Sequence, residues 1–447
     1  MASIEKNVNK KGGVTYKIIV SNGYDTRGKK IRKIKTFKPD PYKTELQNKK
    51  ELERVAFEFE QSVINGRYLD GEKITLAELA DKWYKEYVIQ RLTAKTQEQY
   101  KYYLERYIVP ALGHLKTAQI KPLHIQEFYN HLKNDNVRLD GKSGGFSKAT
   151  IQKINNVLSG LLHCAVNWQI IDTNPCERVN VPNYENTITK SDYFTPEQAI
   201  LFLNALEMSY PHAVKGHKRI DDTGKAYYVG DYTEKRTVPL QFKVLFNIAL
   251  FGGLRKGELL GLTFNDVDFD KNTVSINKSV SYANKQTIIK EPKTKTSIRV
   301  VTLPETVISL IFQLKQEQAQ KQLKYGDRWN NPKGYLFTNE DGGLMFYSTP
   351  YKRLKQIIKS YNDLIESNGG IPQSEKEQLL LPNITLHGLR HTSATLLISQ
   401  NIDVRTVSAR LGHAQTSTTM NIYAHALKSL DRAASDALEN VLNKSAI

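Results

Sequence analysis

Apolar residues recur at helical spacing through most of the chain, and this pattern predicts a succession of short and medium-length helices. Thr75 supplies one N-cap, Thr195 with the Pro and Glu after it supplies another, and the pair Gly252–Gly253 interrupts an apolar helical stretch at 238–262. Besides the stretch at 238–262, helices are predicted at about 44–64, 76–88, 94–110, 122–134, 147–170, 195–206, 304–324, 349–366, 386–400, 404–411 and 426–443.

Other stretches have the apolar pattern of strands. YKIIV at 16–20 and KIRKIKTF at 30–37 flank Asn-Gly and Arg-Gly steps, and they predict a hairpin or a small sheet. Strands are also predicted at 266–277 and 298–303, with 279–290 as a candidate third strand. Residues 210–237 are polar and contain Gly and Lys, which predicts a surface insertion.

These elements predict a multidomain α+β protein, since 447 residues are enough for about three domains. DGEKIT at 70–75 has the composition of a linker, and VNVPNYEN at 179–186 breaks the helical pattern. We therefore expect a small β-sheet-plus-helix domain at 1–70, an all-helical domain at 75–184, and a mainly helical domain with a small antiparallel sheet at 190–447.

The net charge of +18 indicates a polyanionic partner. The surplus is concentrated in residues 1–50, which contain 14 Lys and Arg against four Asp and Glu. Along 30–37 the basic residues alternate with Ile, which predicts a cationic row on one face of the sheet over an apolar face. The candidate contacts to DNA phosphates are Lys29, Lys30, Arg32, Lys33 and Lys35.

The composition also excludes several classes of protein. Two cysteines, Cys164 and Cys176, are too few for a disulfide framework or a four-thiolate zinc site. No run of 18 apolar residues occurs, and the first residues lack the apolar core of a signal peptide. We therefore expect a cytoplasmic protein with no membrane partner.

Four strings in the C-terminal half contain the candidate chemistry: GGLRKGELLGL, KEPKTKTSIRVVTLP, ITLHGLRHTSATLL and RLGHAQTSTTMNIYAH. Each residue taken alone has an ordinary structural explanation. Together, two guanidiniums and an ammonium suit the charge that develops on phosphate oxygens, two imidazoles can move protons, and a phenol can act as nucleophile. The candidate catalytic residues are Arg255, Lys293, His387, Arg390, His413 and Tyr423.

No acidic cluster that would hold Mg²⁺ accompanies these strings, so the cations must come from side chains. His387 and His391 have the spacing of a zinc pair. However, HGLRH lacks the Glu that a metalloprotease helix places between its histidines, and no Asp or Glu follows nearby as a third ligand. We expect neither a metal nor another cofactor.

The order Arg, Lys, His-x-x-Arg, His, Tyr, with LHGLRHTSATLL and LGHAQTSTTMNIYAH, closely resembles the tyrosine recombinase (phage integrase) family over about 75–430. The first 70 residues resemble the arm-DNA-binding domain of integrases from temperate phages and conjugative transposons. The resemblance implies a core-DNA-binding domain at 75–184 and a catalytic domain at 190–447. It also implies a site-specific recombinase that integrates and excises a mobile element through a 3′-phosphotyrosyl intermediate.

The resemblance further implies a role for each candidate catalytic residue. Arg255 and Arg390 clamp the phosphate, and Tyr423 is the nucleophile. His387 and His413 contact the phosphate as acid/base groups.

Two further charged residues also have implied roles. Lys293 matches the family's Pro-Lys-Thr turn and becomes the proton donor to the leaving 5′-oxygen, with Lys295 as the alternative. Glu258 matches the usual acidic position after the first Arg and gives structural support.

The partners implied are double-stranded DNA with core and arm sites, a homotetramer on that DNA, an excisionase and a host DNA-bending protein.

Two features leave alternatives open. The insertion at 210–237 makes either an extra DNA contact or a subunit contact. The apolar stripe of the tail at 424–443 packs either on its own domain or on a neighbouring subunit.

One departure from the family concerns Gly388, where Asp is more usual, so any helix-supporting role of that Asp is missing here.

Two rival functions remain. A type IB topoisomerase shares the chemistry, although the arm-type N-terminal region argues against it. A DNA-binding regulator without catalysis is supported only by the charge.

Overall fold

The computed structural model describes residues 2–8, 13–24, 28–64, 74–135, 137–182, 192–220, 222–291 and 297–413, together with positions 420 and 439. The chain divides into two compact units, Met1–Asn186 and Thr187–Ile447. The mixed class predicted from the sequence is confirmed, because helices alternate with small antiparallel sheets. The helix predicted at 426–443 lies almost wholly outside the described residues.

A three-stranded antiparallel sheet and one helix begin the first unit, where the sequence predicted a hairpin or small sheet from two strands and then a helix. The strands are β1 (Ser3–Val8), β2 (Val14–Tyr24) and β3 (Lys30–Phe37), with β2 in the centre, and the helix is α1 (Glu45–Ile64). β1 has no counterpart among the predicted strands, because its sequence SIEKNV contains only two apolar residues, Ile4 and Val8, and lacks the alternation of a half-buried strand. The helix covers one face of the sheet through an apolar core of Ile18, Val20, Leu52, Ala56, Phe59 and Val63.

The prediction that the cations of β3 form a single row on one face is wrong. Lys33 and Lys35 pair with buried β2 residues and lie on the face toward α1, where Lys35 Nζ is 6.0 Å from the centre of the Phe59 ring. Lys30 and Arg32 lie on the opposite, open face. Successive strand residues point to opposite faces, so the adjacent pair Arg32 and Lys33 divides the basic residues between the two faces.

The rest of the described first unit is helical. Its elements are α2 (Leu76–Trp83), a π-helical turn (Tyr84–Val88), α3 (Ile89–Arg91), α4 (Ala94–Tyr103), a second π-helical turn (Leu104–Ile108), α5 (Val109–Leu112), α6 (Pro122–Leu132) and α7 (Lys148–Asn167), with 3₁₀ turns at Thr117–Gln119 and Pro175–Arg178. Thr75 caps α2 as predicted: Glu78 N donates to its Oγ1 at 3.3 Å, and Thr75 N donates to Glu78 Oε2 at 2.8 Å. This capping box satisfies two backbone donors at the helix start.

The second unit contains the candidate site. Its elements are α8 (Pro196–Glu207), β4 (Ser209–Val214), β5 (His217–Ile220), β6 (Ala226–Val229), β7 (Tyr232–Thr237), α9 (Leu240–Gly252), α10 (Lys256–Gly261), a 3₁₀ turn (Phe264–Asp266), β8 (Val267–Asp268), β9 (Thr273–Ile276), β10 (Ser279–Ala283), β11 (Gln286–Lys290), β12 (Arg299–Thr302), α11 (Glu305–Tyr325), a 3₁₀ turn (Gly326–Arg328), α12 (Thr349–Ser367), α13 (Gln373–Leu379), α14 (Leu386–Ser399) and α15 (Val404–Leu411).

Small antiparallel pairings account for the strands of this unit. β9 lies between β12 and β8, β10 pairs with β11, and the polar insertion forms the pairs β4–β7 and β5–β6. The single strand predicted at 279–290 is instead a hairpin, which turns at Asn284 and Lys285 with φ of 51° and 59°. The strands of the insertion expose most of their side chains, which explains why the apolar pattern missed them.

Helix α9 is apolar around most of its circumference, and it is buried in the middle of the second unit. It packs against both α11 and α14. This packing brings the end of α9 close to α14, so residues far apart in the sequence meet at one place.

Candidate active site

The loop between α9 and α10 places Arg255 at the start of a helix. Gly253 ends α9 in the left-handed conformation, with φ +63°, and a Cβ at this position would lie 2.6 Å from Leu411 Cδ2. The predicted interruption at the glycine pair is thus confirmed. Arg255 follows as the N-cap residue of α10.

Glu258 fixes the direction of the Arg255 side chain. Its Oε2 accepts from the Arg255 backbone N at 2.9 Å, and its Oε1 accepts from Arg255 Nη1 at 2.9 Å. Arg299 Nη2 also donates to Oε2 at 2.9 Å. Burial acts to raise the pKa of the Glu258 carboxyl, but the hydrogen bonds and charges of Arg299 and Arg255 outweigh it and lower that pKa. The buried carboxylate therefore stays ionised between two guanidiniums.

Three successive carbonyls at the C-terminus of α15 accept hydrogen bonds from three arginines of other elements. These bonds are Arg299 Nε to Arg410 O at 2.6 Å, Arg390 Nη2 to Leu411 O at 2.7 Å, and Arg255 Nη2 to Gly412 O at 3.0 Å. The last carbonyls of a helix have no partner inside the helix and carry the negative end of its dipole. The end of α15 thus holds three cations directly before His413.

Arg390 is the most deeply placed of these arginines. It lies on α14, is 1% exposed, and its Nη1 donates to Gly253 O at 2.8 Å. The guanidinium therefore joins the end of α9 to the end of α15. It forms the floor of the site, while the Arg255 side chain is 37% exposed at its surface.

Gly388, where the family more often has Asp, permits close packing of α14. A Cβ at this position would lie 2.2 Å from the carbonyl oxygen of Asp192. Next to it, Thr392 Oγ1 donates to Gly388 O at 2.9 Å and accepts from Phe194 N at 2.9 Å. Backbone packing against the 192–194 segment thus takes the place of a side chain.

We expect Gly388→Ala to lower the free energy of unfolding by about 1–3 kcal/mol, because the methyl group would displace the Asp192 carbonyl. Chemical denaturation measures this change. Gly230→Ala is the matched control, since a Cβ there meets nothing within 4 Å. Equal stability of the two variants would show that the close packing at Gly388 is unimportant.

His387 and His413 both lie within the electrostatic reach of the arginines. Desolvation, followed by the charges of His391, Arg390 and Arg255, lowers the pKa of His387 to about 4. Desolvation and the neighbouring Arg390 and Arg255 lower the pKa of His413 to about 4 as well. Both rings are therefore neutral at pH 7 and can donate or accept a proton.

These lowered pKa values predict a loss of stability at acidic pH. The unfolded chain takes up protons at both rings below about pH 6.5, while the folded protein takes them up only near pH 4. The free energy of unfolding should therefore fall between pH 6.5 and 4, by about 1 kcal/mol per ring once solvent screening is allowed for. Urea denaturation at pH 7 and pH 5 tests this. An equal pH dependence in His387→Gln/His413→Gln would contradict it.

The structure brings together four of the six predicted catalytic residues: Arg255, His387, Arg390 and His413. Lys293, its alternative Lys295, and Tyr423 lie outside the described residues.

Sequence reasoning missed two arginines of this cluster, Arg299 and Arg410. Arg410 Nη2 donates to the carbonyls of Phe251 and Thr302, each at 2.9 Å. A signal for Arg299 was present, because a single charge within the apolar string IRVVTL indicates a buried, paired residue.

Within the described ranges, no three His, Cys, Asp or Glu side chains come together as a metal site, and the His387 and His391 rings pack edge to face at 4.6 Å. In the same part of the chain, no helix has both the length and the apolar character needed to cross a membrane.

Comparisons with known proteins show what the chain is similar to. Residues 229–429 match the Phage integrase family, and residues 75–133 match the Phage integrase, N-terminal SAM-like domain. The chain is 29% identical over 437 residues to a tyrosine recombinase XerC-like protein of Caldanaerobacter subterraneus subsp. tengcongensis, covering 94% of this chain and 95% of that protein. It is 24% identical over 378 residues to the transposase from transposon Tn916 of Enterococcus faecalis, covering 84% and 79%.

A solved structure shares the fold. The Tn1549 transposon integrase in complex with transposon right end DNA superposes with a TM-score of 0.60 at 20% identity, covering 82% of this chain and 100% of that one. The chain therefore belongs to the phage integrase family of tyrosine recombinases, enzymes that cleave and rejoin DNA strands.

Proposed function

We propose that the chain is a site-specific recombinase that integrates and excises a mobile element through a 3′-phosphotyrosyl intermediate. The observation that supports this most is the convergence of Arg255, Arg299 and Arg390 on the end of α15, directly before His413. Two of these guanidiniums share the single carboxylate of Glu258, so positive charge is in excess. A phosphodiester is the ligand that such a cluster fits.

In this proposal the arginines differ in what they do. Arg255 uses one contact on each terminal nitrogen to bind Glu258 and Gly412, and a guanidinium has five N–H donors, so Arg255 can also bind a phosphate oxygen. The buried Arg390 supplies positive charge from beneath the phosphate. Both guanidiniums are held before DNA arrives, which avoids reorganisation during the reaction.

The reaction balances without an external energy source. The Tyr423 hydroxyl attacks phosphorus, its proton passes to a neutral imidazole of His387 or His413, and the 5′-oxygen leaves with a proton from Lys293. The 5′-hydroxyl of the partner strand then attacks the phosphotyrosine and releases Tyr423. One phosphodiester is broken and one is formed.

We assign the three parts of the chain to three tasks. Residues 1–70 bind arm sites, with Lys29, Lys30 and Arg32 reaching DNA from the open face of the sheet and its loop, and Lys33 and Lys35 from the side toward α1. Residues 75–184 bind the core site, and residues 190–447 carry out catalysis. The active form is a homotetramer on DNA in the cytoplasm, assisted by an excisionase and a host DNA-bending protein.

Cleavage of a suicide substrate tests this function. The probe is a nicked duplex with the core site, which a repeat in the DNA flanking the gene identifies, and loss of the short strand traps the covalent complex. We expect equal yields of that complex in excess EDTA and in Mg²⁺, because side-chain cations replace the metal. Cleavage lost in EDTA while DNA binding persists would overturn the metal-free mechanism.

A further inference from the structure

Arg299 is a buried cation of the arginine cluster, and unlike Arg255 and Arg390 it has no individual role in the reaction proposed above. It begins β12, and its side chain is 7% exposed. It donates to Arg410 O at 2.6 Å, to Glu258 Oε2 at 2.9 Å and to Ser297 O at 3.1 Å. Burying a guanidinium is costly unless such partners are provided, so its position calls for an explanation beyond packing.

Two of the three contacts of Arg299 end on the groups that hold Arg255. One group is the carboxylate of Glu258, which binds both the backbone N and Nη1 of Arg255. The other is the turn that ends α15, where Gly412 O accepts from Arg255 Nη2. Removal of Arg299 would leave Glu258 with Arg255 as its partner and would free one side of the turn.

The same turn is packed directly on the Arg299 side chain. A Cβ at Gly412 would lie 2.8 Å from Arg299 Nη1, and Gly412 has a left-handed φ of +68°. His413 is the next residue, and its backbone N donates to Ser408 O at 3.1 Å. The position of the His413 ring therefore depends on a turn that packs against the Arg299 side chain.

We propose that Arg299 is a positioning residue for DNA cleavage: it fixes the Glu258 carboxylate and the C-terminus of α15, so that Arg255 and His413 keep the geometry that the reaction needs. This inference rests on the proposed function. Displacements of about 1 Å around a reacting centre can slow a reaction about 10²-fold even when binding is retained. The effect of Arg299 therefore belongs to the cleavage rate rather than to DNA affinity.

Single-turnover cleavage of the nicked core-site duplex tests the proposal with the full chain. We expect Arg299→Gln to slow cleavage about 10²-fold and Arg299→Lys about 10-fold, because Lys keeps the charge but lacks the planar fork that reaches several acceptors. Core-site affinity should stay within about twofold of the wild type in both variants. Arg405→Gln is the matched control: it removes an exposed guanidinium from α15, the helix whose C-terminus Arg299 binds, and should cleave at the wild-type rate.

A double-mutant cycle separates positioning from a purely structural role. If Arg299 acts through Glu258, then Arg299→Gln/Glu258→Gln should cleave no more slowly than the slower single variant. Additive losses, or cleavage by folded Arg299→Gln within twofold of the wild type, would overturn the proposal. If Arg299→Gln does not fold, Arg299→Lys decides by the same criterion. A wild type without covalent complex would instead overturn the proposed function, and this inference with it.

Discussion

Tyr423→Phe is expected to bind core-site DNA like the wild type and to form no covalent complex with it. The phenyl ring retains nearly all of the packing surface, so a loss of activity would report the missing hydroxyl. Tyr423 follows His413 by ten residues in a Ser- and Thr-rich segment, and such a segment can bring a phenol to a phosphate bound beside His413.

Tyr351→Phe is the matched control for this prediction. Tyr351 lies on α12 and is 37% exposed, and it is outside the strings that contain the candidate chemistry. We expect this variant to give the wild-type yield of covalent complex on the suicide duplex. An adduct that persists in Tyr423→Phe would show that another residue is the nucleophile.

Arg390→Ala should slow cleavage by about 10²-fold or more, the usual scale for the loss of one preorganised donor at a transition state. The substitution also leaves the buried carbonyls of Gly253 and Leu411 without this donor, which costs roughly 1–3 kcal/mol of stability for each. Cleavage must therefore be measured well below the melting temperature, with circular dichroism to confirm folding. Arg390→Lys keeps the charge and should fall between the wild type and Arg390→Ala.

A 5′-thio substrate separates the role of Arg390 from that of Lys293. A thiolate leaves without protonation, so this substrate should restore cleavage to Lys293→Ala but not to Arg390→Ala. Equal rescue of both variants would contradict the roles assigned here. Rescue of Lys295→Ala instead would transfer the role of proton donor to Lys295.

Local sequence signals predicted most of the helices and one part of the site. Thr75 and Thr195 cap helices where expected, and each forms a capping box with a residue three positions later. The bond between Arg255 and Glu258 also joins residues three apart, within one helical turn. Interactions between residues only three positions apart can be predicted from the sequence itself.

The rest of the site depends on contacts between distant parts of the chain. Three of its hydrogen bonds join residues far apart in the sequence. Arg299 donates to Arg410 O across 111 residues, Arg390 to Gly253 O across 137, and Arg255 to Gly412 O across 157. No periodicity of the sequence indicates such long-range contacts, and the resemblance to a family supplied only the residues that match its motif. The missed Arg299 belongs to this class.

The error on β3 has a different cause. A single cationic row requires the basic residues of KIRKIKTF to alternate without a break, but the adjacent Arg32 and Lys33 lie on opposite faces. The strand itself was predicted correctly. The side on which its cations lie followed only from the register with β2.

A strand-exchange assay distinguishes recombination from its rivals. Two core-site duplexes of different length should yield joined products of new length, since each phosphotyrosine can be attacked by a strand from the partner site. Relaxation of supercoiled DNA without joined products would favour a type IB topoisomerase. DNA binding without any adduct would favour a regulator.

The most direct test of the proposed active site is to map the residue that carries the DNA. The covalent complex trapped on a nicked core-site duplex is digested with protease and nuclease, and the phosphopeptide is sequenced by mass spectrometry. We expect the phosphate on Tyr423. This residue lies ten positions after His413, which directly follows the end of α15 that binds the arginines. A phosphate on any other residue would contradict the assignment.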